Sequence, residues 1–238
     1  MKRSDILSSR SDEDKLFTAI VLERDSRVTV LVKADGGRAR CHLRNTGRLE
    51  GLIYPGAKVL CESKENGKTD ARLLGSVQGQ DYVLLDTYLQ EKGLYRCLVD
   101  EKFSWVPPVT GVKEQATYGD RRFDFKLLGD REEAYLEVKS AVTCEDGWAS
   151  YPDAPSERGL EHVRELTRMA EGGLSAFIVF VVTHPGCGRF RPNRDVHPAT
   201  CDALETAADM GVDIRAVKMV LRDNGSINLR DDDLPVYL

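Results

Sequence analysis

A chain of 238 residues with 41% apolar and 31% charged side chains can bury a sizeable core and is too apolar for disorder. Its longest apolar run, residues 176–182, is far short of the ~20 residues a membrane span needs. The opening stretch MKRSDILSSRSDEDK has no apolar segment, so no signal peptide is expected and the cytoplasm is the expected location.

The net charge of −5 argues as a total against a nucleic-acid binder, but the charge is unevenly spread. From Lys15 to Leu60 there are nine Lys or Arg against four Asp or Glu, the distribution of a basic binding module on an acidic body. The six cysteines are scattered, with no C-x-x-C pair, and read most simply as free thiols used as small buried residues.

Residues 1–14 are polar and are expected to be a flexible N-terminus. Residues 15–82 show short strand patterns at 17–22, 27–33, 38–43, 58–62 and 71–74, with turn signals at 34–37 and 65–68. Five short strands with almost no helical stretch predict a small OB-like β-barrel, an architecture that commonly binds nucleic acid.

Residues 83–238 read as a second, α/β domain. Asp86 is placed to cap a helix running to Val99. Three strands follow, at 112–118, 121–128 and 134–140, joined by turns short enough for hairpins. A helix starts after Pro155 and Ser156, carries the apolar stripe Leu160, Val163, Leu166 and Met169, and stops at Gly172. The all-apolar run 176–182 is the signature of a parallel strand covered on both faces. A helix at about 199–210 and a last strand at 212–221 complete the order α-β-β-β-α-β-α-β.

On strand 134–140, alternation puts Tyr135, Glu137 and Lys139 on one face and Leu136, Val138 and Ser140 on the other. On the preceding strand, Asp124 shares a face with Arg122 and Lys126, while Phe123 and Phe125 face away. Paired as a hairpin, these strands bring Asp124 and Glu137 to one point. Charged groups inside a sheet covered on both sides are costly unless they meet a cation, a partner or a wet cleft. Two hard carboxylates hold Mg²⁺ or Mn²⁺, and a neighbouring lysine orients water or offsets charge, which is the equipment for phosphodiester hydrolysis. Asp-x₁₂-Glu-x-Lys with β-β-β-α-β order is the pattern of the PD-(D/E)xK, restriction-endonuclease-like nucleases; the competing reading is a solvated edge hairpin with its charges paired across strands.

Five segments, in order, then resemble the sugar fermentation stimulation protein A family: RNTGRL at 44–49 with Pro55 and Gly56, YGDRRFDF at 118–125, LEVKS at 136–140, YPDA at 151–154, and ERG at 157–159 with His162. The resemblance covers nearly the whole chain from about residue 16. It implies an N-terminal OB-like barrel, a restriction-endonuclease-like mixed sheet flanked by helices, and DNA binding connected with regulation of sugar metabolism. It also carries over Asp124 and Glu137 as metal ligands, with Lys139 as the catalytic lysine. Gln115 aligns where the family often has a glutamate and is taken as a third, neutral ligand. Arg44 and His197 likewise replace residues common in the family.

Lys33, Arg38, Arg40, Arg44, Asn45, Thr46, Gly47, Arg48, Arg158 and His162 are the candidate nucleic-acid contacts. For residues 45–48 the alternatives are phosphate binding by backbone amides and Arg48, or a turn needing Gly47 at positive φ. Arg158 either meets phosphate or ties down the loop at Asp153, itself read as a loop-fixing residue. The expected function is a DNA-binding protein with a Mg²⁺-dependent phosphodiesterase site, acting on duplex or single-stranded DNA. The alternatives are a non-catalytic transcriptional regulator on the same scaffold and an RNA-binding protein. No membrane partner is expected, and a homodimer is compatible with the sequence.

Overall fold

The computed structural model describes residues 5–7, 15–130 and 132–238. Strands β2 (Leu16–Ser26), β3 (Thr29–Ala34), β4 (Gly37–Leu43), β5 (Lys58–Ser63) and β6 (Ala71–Gln78) form the barrel. Its antiparallel order is β4-β3-β2-β5-β6, and a parallel pairing of β4 with β6 closes it. The interior is filled by the inward residues of each alternating strand, among them Val30, Val32, Cys41, Leu43, Val59 and Leu73. Closure pairs the two ends of the barrel sheet with one another, so neither is left to template aggregation.

β7 (Asp81–Leu84), absent from the sequence reading, pairs with β6 on one side and, through Tyr82↔Leu221, with the second domain on the other. The barrel and the α/β sheet are therefore one continuous hydrogen-bonded sheet. Gly75 of β6 stands at this junction, where a Cβ would come within 2.5 Å of the Val83 carbonyl oxygen and 2.8 Å of Leu221.

The α/β domain has helices α1 (Thr87–Val99), α2 (Glu157–Glu171) and α3 (Pro198–Asp209). Its sheet runs β15 (Asp213–Leu221), β13 (Ser175–Val182), β10 (Glu133–Ala141), β9 (Arg121–Leu128) and β8 (Gly111–Tyr118). β10, β13 and β15 are parallel, as a run apolar on both faces requires. Val179 and Val181 face Leu94 and Leu98 of α1, while Ile178 and Phe180 face Val163 and Leu166 of α2 and Leu204 of α3. Asp86 accepts from the Leu89 amide and Ser156 from the Gly159 amide, so both helices start at side-chain caps.

Several elements depart from the sequence reading. The 212–221 strand is not the last, because β16 (Ile227–Asp231) folds back on it. Part of the segment expected to be flexible, Asp5–Leu7, forms β1 and pairs with β16; the rest of that expectation lies outside the described residues. Short strands β11 (Thr143–Glu145), β12 (Trp148–Tyr151) and β14 (Arg189–Pro192) build a separate three-stranded sheet. Cys144 of β11 and Cys187, 43 positions apart, are joined in a disulfide, which corrects the free-thiol reading for these two. No helix among the described residues is long and apolar enough to cross a membrane.

Candidate active site

The site begins where a ladder ends. β9 and β10 pair as far as Phe125↔Leu136, one residue short of Asp124 and Glu137. There Asp124 Oδ2 accepts the Val138 amide at 2.8 Å, so a side chain takes over from the backbone ladder. On the other side, Gln115 opposes Asp124 with φ at 53° and interrupts the β8–β9 pairing between Glu114 and Ala116. The alternation breaks with it. Phe123 and Phe125, expected on one face, pack apart: Phe123 lies against Tyr135 and His162, and Phe125 against Tyr95.

Glu137 is only 4% exposed. Its Oε1 takes a hydrogen bond from Lys139 Nζ at 2.8 Å and also faces His162 Nδ1, while its Oε2 is buried with no hydrogen-bond partner. Burial alone would raise the Glu137 pKa, but Lys139 and His162 outweigh it and hold the carboxyl below its ordinary value. Burial would lower the pKa of Lys139, and the neighbouring Glu137 charge overrides this to keep the ammonium protonated. Asp124 is reached by the Lys139 charge too, but only as the smallest of the effects on it. Burial, then the charge of Glu137, pushes it up to about 7, against the opposing Val138 hydrogen bond.

A third carboxylate completes the set. Glu91, on α1, lines the same cavity of about 340 Å³ as Asp124, Glu137, Lys139 and Gln115. Its pKa is raised by burial and by the charges of Glu137 and Asp86. Glu114, which does not line this cavity, pairs with Lys92 at 2.7 Å. Glu91 lay beyond the sequence reading because its helix precedes the motif and only the packing of α1 on the sheet brings it in. Tyr151 was missed too; its hydroxyl is close enough to Gly159 that a Cβ there would lie 2.6 Å away.

The other predicted contacts divide. Arg158 and His162 line the carboxylate cavity, and Arg44, Asn45, Thr46 and Gly47 line an adjoining cleft. Lys33, Arg38 and Arg40 lie on the β3–β4 hairpin, where Arg40 pairs with Asp25 at 2.9 Å. Asn45 is buried and spent internally, on the Leu85 carbonyl at 3.3 Å and the Gly47 amide at 3.0 Å. Arg48 lines a different cavity, and its carbonyl accepts from Arg24 at 2.7 Å. Residues 45–48 thus clasp the two domains: Asp153 accepts the Leu49 amide at 3.4 Å and packs against Gly47. Gly47 is required by this close approach and not by a positive φ, since a Cβ would sit 2.0 Å from the Asp153 carboxylate. Gly47→Ala is therefore expected to cost about 1–3 kcal/mol in urea unfolding, as overpacked sites do; a variant with wild-type stability would refute the clasp.

Comparison with known proteins agrees with this architecture. The family model for the SfsA N-terminal OB domain matches residues 22–85, and that for the sugar fermentation stimulation protein RE domain matches residues 89–225. The sugar fermentation stimulation protein homolog of Clostridium beijerinckii is 34% identical over 210 residues, 87% of this chain and 92% of its own length. That of Pyrococcus furiosus is 34% identical over 217 residues, 91% of this chain and 94% of its own. A solved structure of Pyrococcus furiosus SfsA in complex with Ca²⁺ superposes with a TM-score of 0.90 at 32% identity, over 99% of this chain and 100% of that one. The chain belongs to the sugar fermentation stimulation protein family.

Proposed function

We propose that the protein is a DNA-binding phosphodiesterase dependent on Mg²⁺ or Mn²⁺. The observation that carries this is Glu137 Oε2: a carboxylate oxygen buried without a partner beside Asp124 and Glu91, while Lys139 and His162 occupy the other oxygen. An unsatisfied buried carboxylate oxygen is costly unless a cation completes it, and an all-oxygen donor set suits a hard divalent ion. The residues present fit such an ion, with Asp124, Glu137 and Glu91 to hold it and Gln115 at the rim. The relative from Pyrococcus furiosus was solved with Ca²⁺, an ion of the same oxygen-seeking kind, which supports the reading.

When bound, the cation supplies Lewis acidity at a phosphoryl oxygen and a lowered pKa for an attached water. Lys139, held protonated by Glu137, donates a hydrogen bond to a phosphoryl oxygen and offsets the charge that develops there. His162 holds the Glu137 carboxylate in orientation from α2. Arg158 and Arg122, both exposed and both lining the cavity, bind the flanking phosphates.

The test is incubation with DNA in Mg²⁺ or Mn²⁺. The wild type is expected to cut, EDTA to stop it, and Asp124→Ala to slow it by about 100-fold or more, the loss typical of removing an electrostatic catalytic group. If neither protein cuts, or both cut equally, the assignment fails. Salt-dependent DNA affinity that persists without cutting would mark the regulator alternative.

A further inference from the structure

We infer that the nucleic acid reaches the carboxylates as a single strand, threaded along a cleft between the barrel and the α/β domain. This rests on the phosphodiesterase reading and names its substrate class. A cleft of about 520 Å³ lies alongside the carboxylate cavity of about 340 Å³, and the two share Thr46, Thr87, Ser140, Tyr151 and Ser156. Together they make one passage from the barrel surface to Glu137.

The lining suits a strand with its bases unpaired. Arg27 and Arg44 are exposed on the barrel wall of the cleft and offer charge to a phosphate backbone. Tyr88 follows Thr87 in the chain and is 42% exposed, with the guanidinium of the cleft residue Arg44 4.8 Å and Lys92 Nζ 5.6 Å from its ring centroid. An exposed ring flanked by cations is a stacking platform for a base. Where the two cavities meet, Ser140 Oγ is buried with no hydrogen-bond partner, a polar atom left for a ligand passing through.

The narrowness of the passage favours a single strand. A duplex is a stiff cylinder that would have to stay outside the passage, whereas one strand can bend into it. Glu137 is 4% exposed at the floor of the passage. The two cavity volumes are those of small-ligand pockets, large enough for a few nucleotides of one strand and too small for stacked base pairs.

Fluorescence anisotropy of the full chain with a labelled DNA of about 12 nucleotides, a length typical of barrel site sizes, tests this against the same sequence as a duplex. The single strand is expected to bind at least tenfold more tightly. Tyr88→Ala, a change at an exposed ring, should weaken single-strand binding by about tenfold and leave duplex binding alone, as loss of one stacked base does. A duplex bound as tightly as the strand, or Tyr88→Ala binding the strand like wild type, overturns the inference. A protein that cuts DNA yet prefers duplex sinks the threading alone, whereas one that neither binds nor cuts either form sinks the phosphodiesterase reading beneath it.

Discussion

In EDTA at pH 8, Asp124→Asn is expected to be more stable than the wild type by about 4 kcal/mol, and the gain should fade by pH 4. The sign follows from the direction of the shift. Burial and Glu137 raise the folded-state pKa of Asp124 from 3.8 to about 7. Between those values the folded protein keeps a proton that the unfolded chain releases. Stability therefore falls as pH rises through this window, by up to about 1.4 kcal/mol per unit, and levels off above it. Asparagine removes the buried charge and keeps an oxygen for the Val138 amide. Guanidinium unfolding of both proteins at pH 4, 6 and 8 checks this, and an asparagine variant weaker than wild type at pH 8 would show that Asp124 is not desolvated. Adding Mg²⁺ should then reverse the order, because a ligand bound to the native state of the wild type stabilises it and the variant lacks that binding.

Glu137→Gln should have the opposite effect, a loss of about 3–5 kcal/mol, since removing one partner of a buried ion pair leaves the other uncompensated. Lys139 Nζ sits 2.8 Å from Glu137 Oε1, and His162 shares that oxygen. Adding Lys139→Met to Glu137→Gln should recover much of the loss, because the stranded ammonium is then gone. Guanidinium midpoints of the two variants give the answer. A Glu137→Gln loss below about 1 kcal/mol, or no recovery in the double variant, would mean that Lys139 does not depend on this carboxylate.

How far the chain could be read in advance follows from how local each signal is. The β13 run, the Asp86 and Ser156 caps and the stripe on α2 are encoded within a few residues, and these elements stand where their patterns place them. β7, β14 and β16 are four or five residues long, too short for a local period to mark them, and β14 in addition pairs with the distant β12. The Cys144–Cys187 bond depends in the same way on two distant segments meeting.

At the site, the Asp124 and Glu137-x-Lys139 spacing was enough to bring the motif together, because a hairpin fixes it. Alternation put Glu137 and Lys139 on one face, and there they meet at 2.8 Å. It failed for Phe123 and Phe125, since the left-handed residue Gln115 interrupts the pairing opposite Asp124. Glu91 needed tertiary structure, because a helix stripe shows which side is buried but not which strand end it will overlie. The 45–48 loop looked like a phosphate site because Asn, Thr and Gly favour both uses, and only the approach of Asp153 assigns it to the domain clasp.

The most direct measurement of the central claim is an anomalous difference map from crystals soaked in Mn²⁺. A peak is expected in the carboxylate cavity, coordinated by Asp124 and by the Oε2 atom of Glu137 that has no protein partner. A map with no peak there, or with Mn²⁺ only at surface carboxylates, would contradict it.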